Sequence, residues 1–158
     1  MSERVAIAPV CKTVHLKAPI DHAFDVFTNG LTRWWPFDHG VGKQPIAKVM
    51  MEPRLGGRWL EISADGTETT VATITLFEPP HRLVLVWQIN AQWKPDVAMK
   101  SEVDVRFTAH GAEATTVELT HHKFETMGAE AGASMRSDVD RGWPGLMERF
   151  AREVEKQD

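Results

Sequence analysis

The chain has no tyrosine and one cysteine, Cys11, in 158 residues. A lone cysteine excludes an internal disulfide, so the fold must be held by packing. No apolar run approaches the ~20 residues that a membrane-spanning helix needs. The first ten residues, MSERVAIAPV, lack the basic and long apolar regions of a secretory signal, which sets the expectation of a cytoplasmic protein. Neither sign of charge dominates: 18 basic and 22 acidic residues interleave to a net charge of -4. Without a basic patch, binding to a nucleic-acid backbone is not expected. Also missing are CxxC, HExxH, a carboxylate-rich loop, a phosphate loop, a dinucleotide fingerprint and a nucleophile elbow. The sequence therefore predicts no metal and no cofactor.

What the chain does have is tryptophan: six, with seven phenylalanines. An indole combines a large apolar area with one polar N–H, which suits partly buried sites and pocket walls as well as a core. Hydrophobic residues make up 42% and charged residues 25%, the balance of an ordinary soluble globular protein. The length fits one domain, here residues 10–158 behind a tail at 1–9.

Gly and Pro punctuate short elements. Val10 to Lys17 alternates as a strand; Ile20, Ala23, Phe24 and Phe27 share one face of a short helix closed by Asn29-Gly30. A helical turn over Leu31 to Trp35 stops at Pro36. Six strand candidates follow at hairpin spacing: Ala47 to Glu52, Arg58 to Ser63, Thr69 to Phe77, Arg82 to Ile89, Glu102 to Thr108 and Thr115 to Phe124. Short separators such as Gly56-Gly57, Asp65-Gly66 and His110-Gly111 imply antiparallel neighbours. Near the end, Trp143, Leu146, Met147, Phe150 and Val154 recur at steps of three or four, the stripe of a helix docked on a sheet. Pro144 predicts that this helix starts close to Trp143, with Asp138 to Gly142 a separate or kinked piece. The fold class is α+β: a curved antiparallel sheet of about seven strands around a long C-terminal helix, with two short helices after the first strand.

Two side chains are candidates for acid–base chemistry. His121 falls on the inward face with Val117 and Leu119, where an imidazole could orient or deprotonate a ligand, or simply be a buried histidine satisfied by a hydrogen bond. Its neighbour His122 points the other way, so the two do not chelate one ion. Glu61 shares a face with Trp59. If that face is inward, burial raises its pKa and makes it a candidate acid or base; otherwise it is a rim residue paired with Arg58 or Arg82. The Glu125 to Ser137 stretch, rich in Gly, Ala and Met, reads as a lid or a plain connector.

The residues also carry a family resemblance. Ala18-Pro19-Ile20-Asp21-His22-Ala23-Phe24 opens the first helix, followed by Trp34-Trp35-Pro36, Gly56-Gly57-Arg58-Trp59, and Pro79-Pro80-His81-Arg82-Leu83 leading to Trp87. Val117-Glu118-Leu119-Thr120-His121 with Phe124, and Gly142-Trp143 with Leu146, complete the series. In order and spacing, from Val10 to Val154, these segments resemble the START-like, helix-grip (SRPBCC) superfamily, and within it the branch named for homologues of the activator of the heat-shock-protein-90 ATPase. The resemblance implies a cavity between sheet and last helix, used in that superfamily for lipids, polyketides, hormones or other apolar ligands and sometimes for catalysis. Trp34, Trp35, Trp59, Trp87, Phe107, Leu119, His121, Met147 and Phe150 are its expected lining, with Trp143 an anchor of the helix. The expected partner is a small apolar or aromatic molecule. A cyclase, dehydratase or hydrolase using His121 with Glu61 is the alternative, and a chaperone- or stress-associated role follows from the branch name.

Overall fold

The computed structural model describes residues 7–36 and 46–156. Strand β1 (Val10–Leu16) leads to helix α1 (Ile20–Thr28) and the single-turn α2 (Leu31–Trp34). Six strands follow: β2 (Ile46–Met51), β3 (Arg58–Ser63), β4 (Glu68–Glu78), β5 (Arg82–Trp87), β6 (Ser101–Ala109) and β7 (Thr115–His122). A 3-10 turn over Phe124–Met127 then enters the long helix α3 (Ala129–Val154). The seven strands form one antiparallel sheet in the order β1-β7-β6-β5-β4-β3-β2, so the chain's first strand closes onto its last.

Alternation decides which side of the sheet meets the helix. On β6, Val103, Val105 and Phe107 are buried while Asp104 and Arg106 point away; on β7, Val117, Leu119 and His121 are buried opposite them in register. The other half of the sheet is less regular, with register shifts between Ile46 and Lys48, Trp59 and Leu60, and Ile74 and Leu76. An extra residue in one strand of a pair bends it and sharpens its twist, which curls this half around α3. On β3 the inward face is the one carrying Trp59 and Glu61, both buried.

The buried aromatic side chains among the described residues form one continuous network. Phe24, Phe107, Phe27 and Phe150 contact edge to face, Phe150 meets Trp34, and Trp34 meets Trp35. From there Trp35, Trp59 and Trp87 follow at centroid distances of 4.6 and 5.6 Å, both pairs near perpendicular. Such T-shaped pairs place the positive edge of one ring on the negative face of the next and contribute about 0.5–1.5 kcal/mol beyond their buried area.

The C-terminal helix corrects the sequence reading. It is one helix of 26 residues with Pro144 inside it, not a helix that starts at the proline. Its buried stripe runs Gly132, Met135, Val139, Trp143, Leu146, Met147, Phe150 and Val154 without a break in period. Pro144 sits on the exposed side, where water can reach the carbonyl that loses its donor. The Glu125 to Ser137 stretch is therefore neither lid nor loop: it is most of the 3-10 turn and the first turns of α3. Its glycine is a contact, since a Cβ on Gly132 would collide with the Phe124 carbonyl oxygen and lie 2.7 Å from Ile7 Cδ1.

Two glycines of the same helix are therefore expected to respond with opposite sign. Gly132→Ala should destabilise by about 1–3 kcal/mol through that collision, whereas Gly145→Ala, whose added Cβ meets nothing within 4 Å, should stabilise by about 1 kcal/mol through helix propensity. Urea unfolding of the two variants checks this; a shift of the same sign in both would contradict the packing described.

Candidate functional site

Between strands β3–β5 and the middle of α3 lies a cavity of about 260 Å³. Its wall is Trp35 from the end of α2, Glu61 on β3, Val71 on β4, Trp87 on β5, Trp93 on the β5–β6 loop, and Asp138, Val139, Arg141, Gly142, Trp143 and Leu146 on α3. The volume lies near the lower end of small-molecule sites, which run from about 300 Å³ upward. Part of this space is left unfilled at Gly142, which has no side chain: a Cβ built on it meets nothing within 4 Å.

Three indoles line the interior. Trp35 and Trp87 are held from the strand side by Trp59, and Trp143 comes down from the helix at 6.1 Å from Trp35 and 6.0 Å from Trp87. Among them Glu61 is only 2% exposed. Arg58 is not its rim partner, since it bonds Glu52 at 3.0 Å and lies 3.5 Å from Glu68. Arg82 holds Asp104 through two bonds of 3.0 and 2.8 Å. The rim reading of Glu61 thus gives way to a buried carboxyl on the cavity wall, because Arg58 leaves its strand on the face opposite Glu61.

At the mouth, the half-exposed Trp93 donates its Nε1–H to Asp138 Oδ2 at 3.0 Å. Arg141 in turn donates to Asp138 Oδ1 at 2.7 Å and to Ser137 Oγ at 3.1 Å. Trp93 reaches this position with a φ of 57°, a left-handed conformation that bulky residues rarely adopt. Asn90 makes it accessible: its side-chain oxygen accepts from the backbone N–H groups of Gln92 and Lys94, both at 3.0 Å, wrapping the loop tightly around the strained residue.

His121 lies behind the wall rather than on it. It is fully buried, and Trp143 donates its Nε1–H to His121 Nδ1 at 3.2 Å. An indole nitrogen can only donate, so Nδ1 is the bare nitrogen and the ring proton sits on Nε2, which donates to the buried Ser101 Oγ at 3.2 Å. Both ring nitrogens are engaged. Burial, with a smaller contribution from the adjacent His122, lowers the pKa from the usual imidazole value to about 3. His121 is a neutral structural histidine.

The structure thus separates the expected lining into two groups. Trp35 and Trp87 reach the cavity, where the acid–base candidate Glu61 joins them. Trp34, Trp59, Phe107, Leu119, His121, Met147 and Phe150 are buried in the core around it and line none of it among the described residues. Three strands separate Glu61 on β3 from His121 on β7, so the two do not share a site. Trp93, Asp138, Val139, Arg141 and Gly142 belong to the wall and were not anticipated. The signal for Trp93 was an aromatic residue in the polar segment NAQWKPD, where there is no core for it to fill. Among the described residues, no three His, Cys, Asp or Glu side chains gather as a metal site would require.

A neutral buried histidine makes stability depend on pH. The folded pKa of about 3 lies below the ordinary value, so between them the unfolded chain binds the proton that the folded chain refuses. Stability is then complete above about pH 6.5 and falls on acidification, by up to about 1.4 kcal/mol per pH unit from this group. His121→Gln should be less stable at pH 7 and show a shallower loss down to pH 4.5 in urea unfolding. Parallel curves for the two proteins would contradict the assignment.

Residues 17–155 match the family model described as Activator of Hsp90 ATPase homolog 1-like protein. Among solved structures, the anthrahydroquino-γ-pyrone synthase Txn09, complexed with SUM, is 36% identical with a TM-score of 0.64, the alignment covering 94% of this chain and 97% of that one. The self-sacrificing resistance protein CalC from Micromonospora echinospora is 32% identical with a TM-score of 0.71, over 92% and 93% of the two chains. An AHSA1-like protein from Aeromonas hydrophila is 19% identical, with a TM-score of 0.62 over 94% and 92%, and shares the fold. No curated protein matches significantly. With helix-grip architecture throughout and a family match over nearly its full length, the chain belongs to the Activator of Hsp90 ATPase homolog 1-like family, within the START-like superfamily.

Proposed function

We propose that this protein binds a small, largely apolar aromatic molecule in the cavity between β3–β5 and α3. The observation that carries the reading is the wall itself: Trp35, Trp87 and Trp143 surround an open volume of about 260 Å³ that contains a single buried carboxyl, Glu61, among the described residues. Mostly apolar concave sites with a few placed polar groups are the usual form of small-molecule sites. Two relatives above 30% identity support it, one described as a synthase complexed with SUM and the other as a resistance protein.

Catalysis is the second reading, favoured by Glu61. A carboxyl on a cavity wall can give a proton to a bound ligand or take one from it. The version that relied on His121 loses its geometry, because both imidazole nitrogens are committed behind the wall. A chaperone partnership rests on the family description and draws nothing from the cavity.

Gly142 provides a clean test because it lies on the wall with open space at its Cβ. Titrating the protein with bicyclic and tricyclic neutral aromatics should quench its tryptophan fluorescence saturably. Gly142→Phe, which fills the cavity from the helix side, should weaken that binding by at least about tenfold without lowering the melting temperature, since Gly is the poorer helix former. No saturable quenching, or binding indifferent to the substitution, would count against the reading. Should a bound compound turn over, Glu61→Gln is expected to retain binding and lose the reaction.

A further inference from the structure

The inner wall of the cavity is sealed: Trp35 and Leu146, its most exposed members, are at 7% and 8%. Solvent meets the wall at Trp93, Asp138, Arg141 and Gly142, so among the described residues a molecule enters by passing between the β5–β6 loop and α3. One of those two sides has to give way. The helix side is fixed, since Val139 and Trp143 belong to the buried stripe and the Trp143 indole is bonded to His121. The loop side is held far less. From Asn90 to Lys100 no residue is buried, and the backbone hydrogen bonds of this segment run within it or back to Gln88. Among the described residues, the bond from Trp93 Nε1 to Asp138 Oδ2 at 3.0 Å is the one that ties it across the mouth. Few buried contacts and solvent-exposed hydrogen bonds are the marks of a segment that opens locally at little cost.

We propose that Trp93 is the door of this cavity and Asp138 its latch: the indole swings outward when its bond to Asp138 breaks, a ligand passes, and the indole returns over it. This rests on the ligand-binding reading above and adds how the site opens. Trp93 suits the part because it has two sides, one lining the cavity and the other leaving it 38% exposed. Its φ of 57° is unfavourable for a bulky side chain, so the closed position is one that the loop imposes on the residue. The latch stays in place while the door is open. Arg141 bonds the other carboxylate oxygen of Asp138 at 2.7 Å and keeps the acceptor at the mouth. Opening exchanges one half-exposed hydrogen bond for bonds to water, a small change in free energy. Closing adds the Trp93 ring to the indoles of Trp35, Trp87 and Trp143 around an aromatic ligand.

Stopped-flow quenching of tryptophan fluorescence by naphthalene, with association and dissociation rates read separately, tests the door. Asp138→Ala removes the latch and should raise both rates by roughly two- to tenfold, the worth of one such hydrogen bond, while their ratio stays within about twofold. Asp138→Asn keeps an oxygen that can accept from Trp93 and should bind at close to the unaltered rates. Trp93→Gly removes the leaf of the door without straining the loop, since glycine readily adopts a φ of 57°. Its association rate should exceed that of Asp138→Ala. A residue that only touches the ligand would behave differently: its loss raises the dissociation rate alone and weakens binding. That pattern in Asp138→Ala, or association rates unchanged in both Asp138→Ala and Trp93→Gly, would overturn the door and leave the cavity reading standing. Absence of saturable quenching in the unaltered protein, by naphthalene and by tricyclic aromatics alike, would overturn both.

Discussion

The hydrogen bond from Trp143 to His121 ties the long helix to the sheet. Trp143 lies midway along α3, and its Nε1–H meets an imidazole on β7 whose other nitrogen bonds Ser101 on β6. This chain of donor and acceptor is fully buried, so each member needs the others: removing one strands a polar group where water cannot replace it. It also fixes the helix at one depth and one rotation. A purely apolar contact would tolerate a slide of the helix along the sheet, whereas the indole–imidazole bond requires a defined distance and angle. The price of that definition is a histidine that must stay neutral.

Everything to one side of this clamp is closely packed. Phe150, Phe27, Phe24 and Phe107 interlock edge to face toward the C-terminal half of α3, with Trp34 tilted against Phe150. To the other side the helix carries Gly142 and Val139, and the curled strands β3–β5 face it with Val71 and Trp87. The difference in side-chain volume opens the cavity there, and Trp93 with Asp138 borders its mouth. The same tryptophans thus serve as core on one face and wall on the other, which resolves the question raised by their abundance: Trp34 and Trp59 fill the interior, while Trp35, Trp87 and Trp143 do both.

Much of this was legible from the residues. Strict alternation on β6 and β7 identifies the inward face, and with it the burial of His121; the run Leu83, Leu85, Trp87 does the same for β5. The site was less legible for a traceable reason. Pro144 reads as a helix start, so the helix surface seen from sequence begins at Trp143, and the expected lining moves to Met147 and Phe150. The actual helix begins at Ala129, and five of its wall residues, Asp138, Val139, Arg141, Gly142 and Trp143, precede the proline. Their period was present as Gly132, Met135 and Val139, but a glycine in the stripe looks like a break unless one knows that the Phe124 carbonyl packs against it. The face of Glu61 was unreadable because both faces of β3 mix apolar with polar or charged residues, Trp59 with Glu61 and Ser63 on one and Leu60 and Ile62 with Arg58 on the other.

The central claim is an open cavity over the middle of α3 that takes an aromatic ligand. Intermolecular nuclear Overhauser effects between a bound bicyclic neutral aromatic and methyl-labelled protein test it most directly. The account predicts contacts from the ligand to the methyls of Val71, Val139 and Leu146, which meet only across that cavity. Contacts confined to Met147, Leu119 and Val105, or none to any buried methyl, would contradict it.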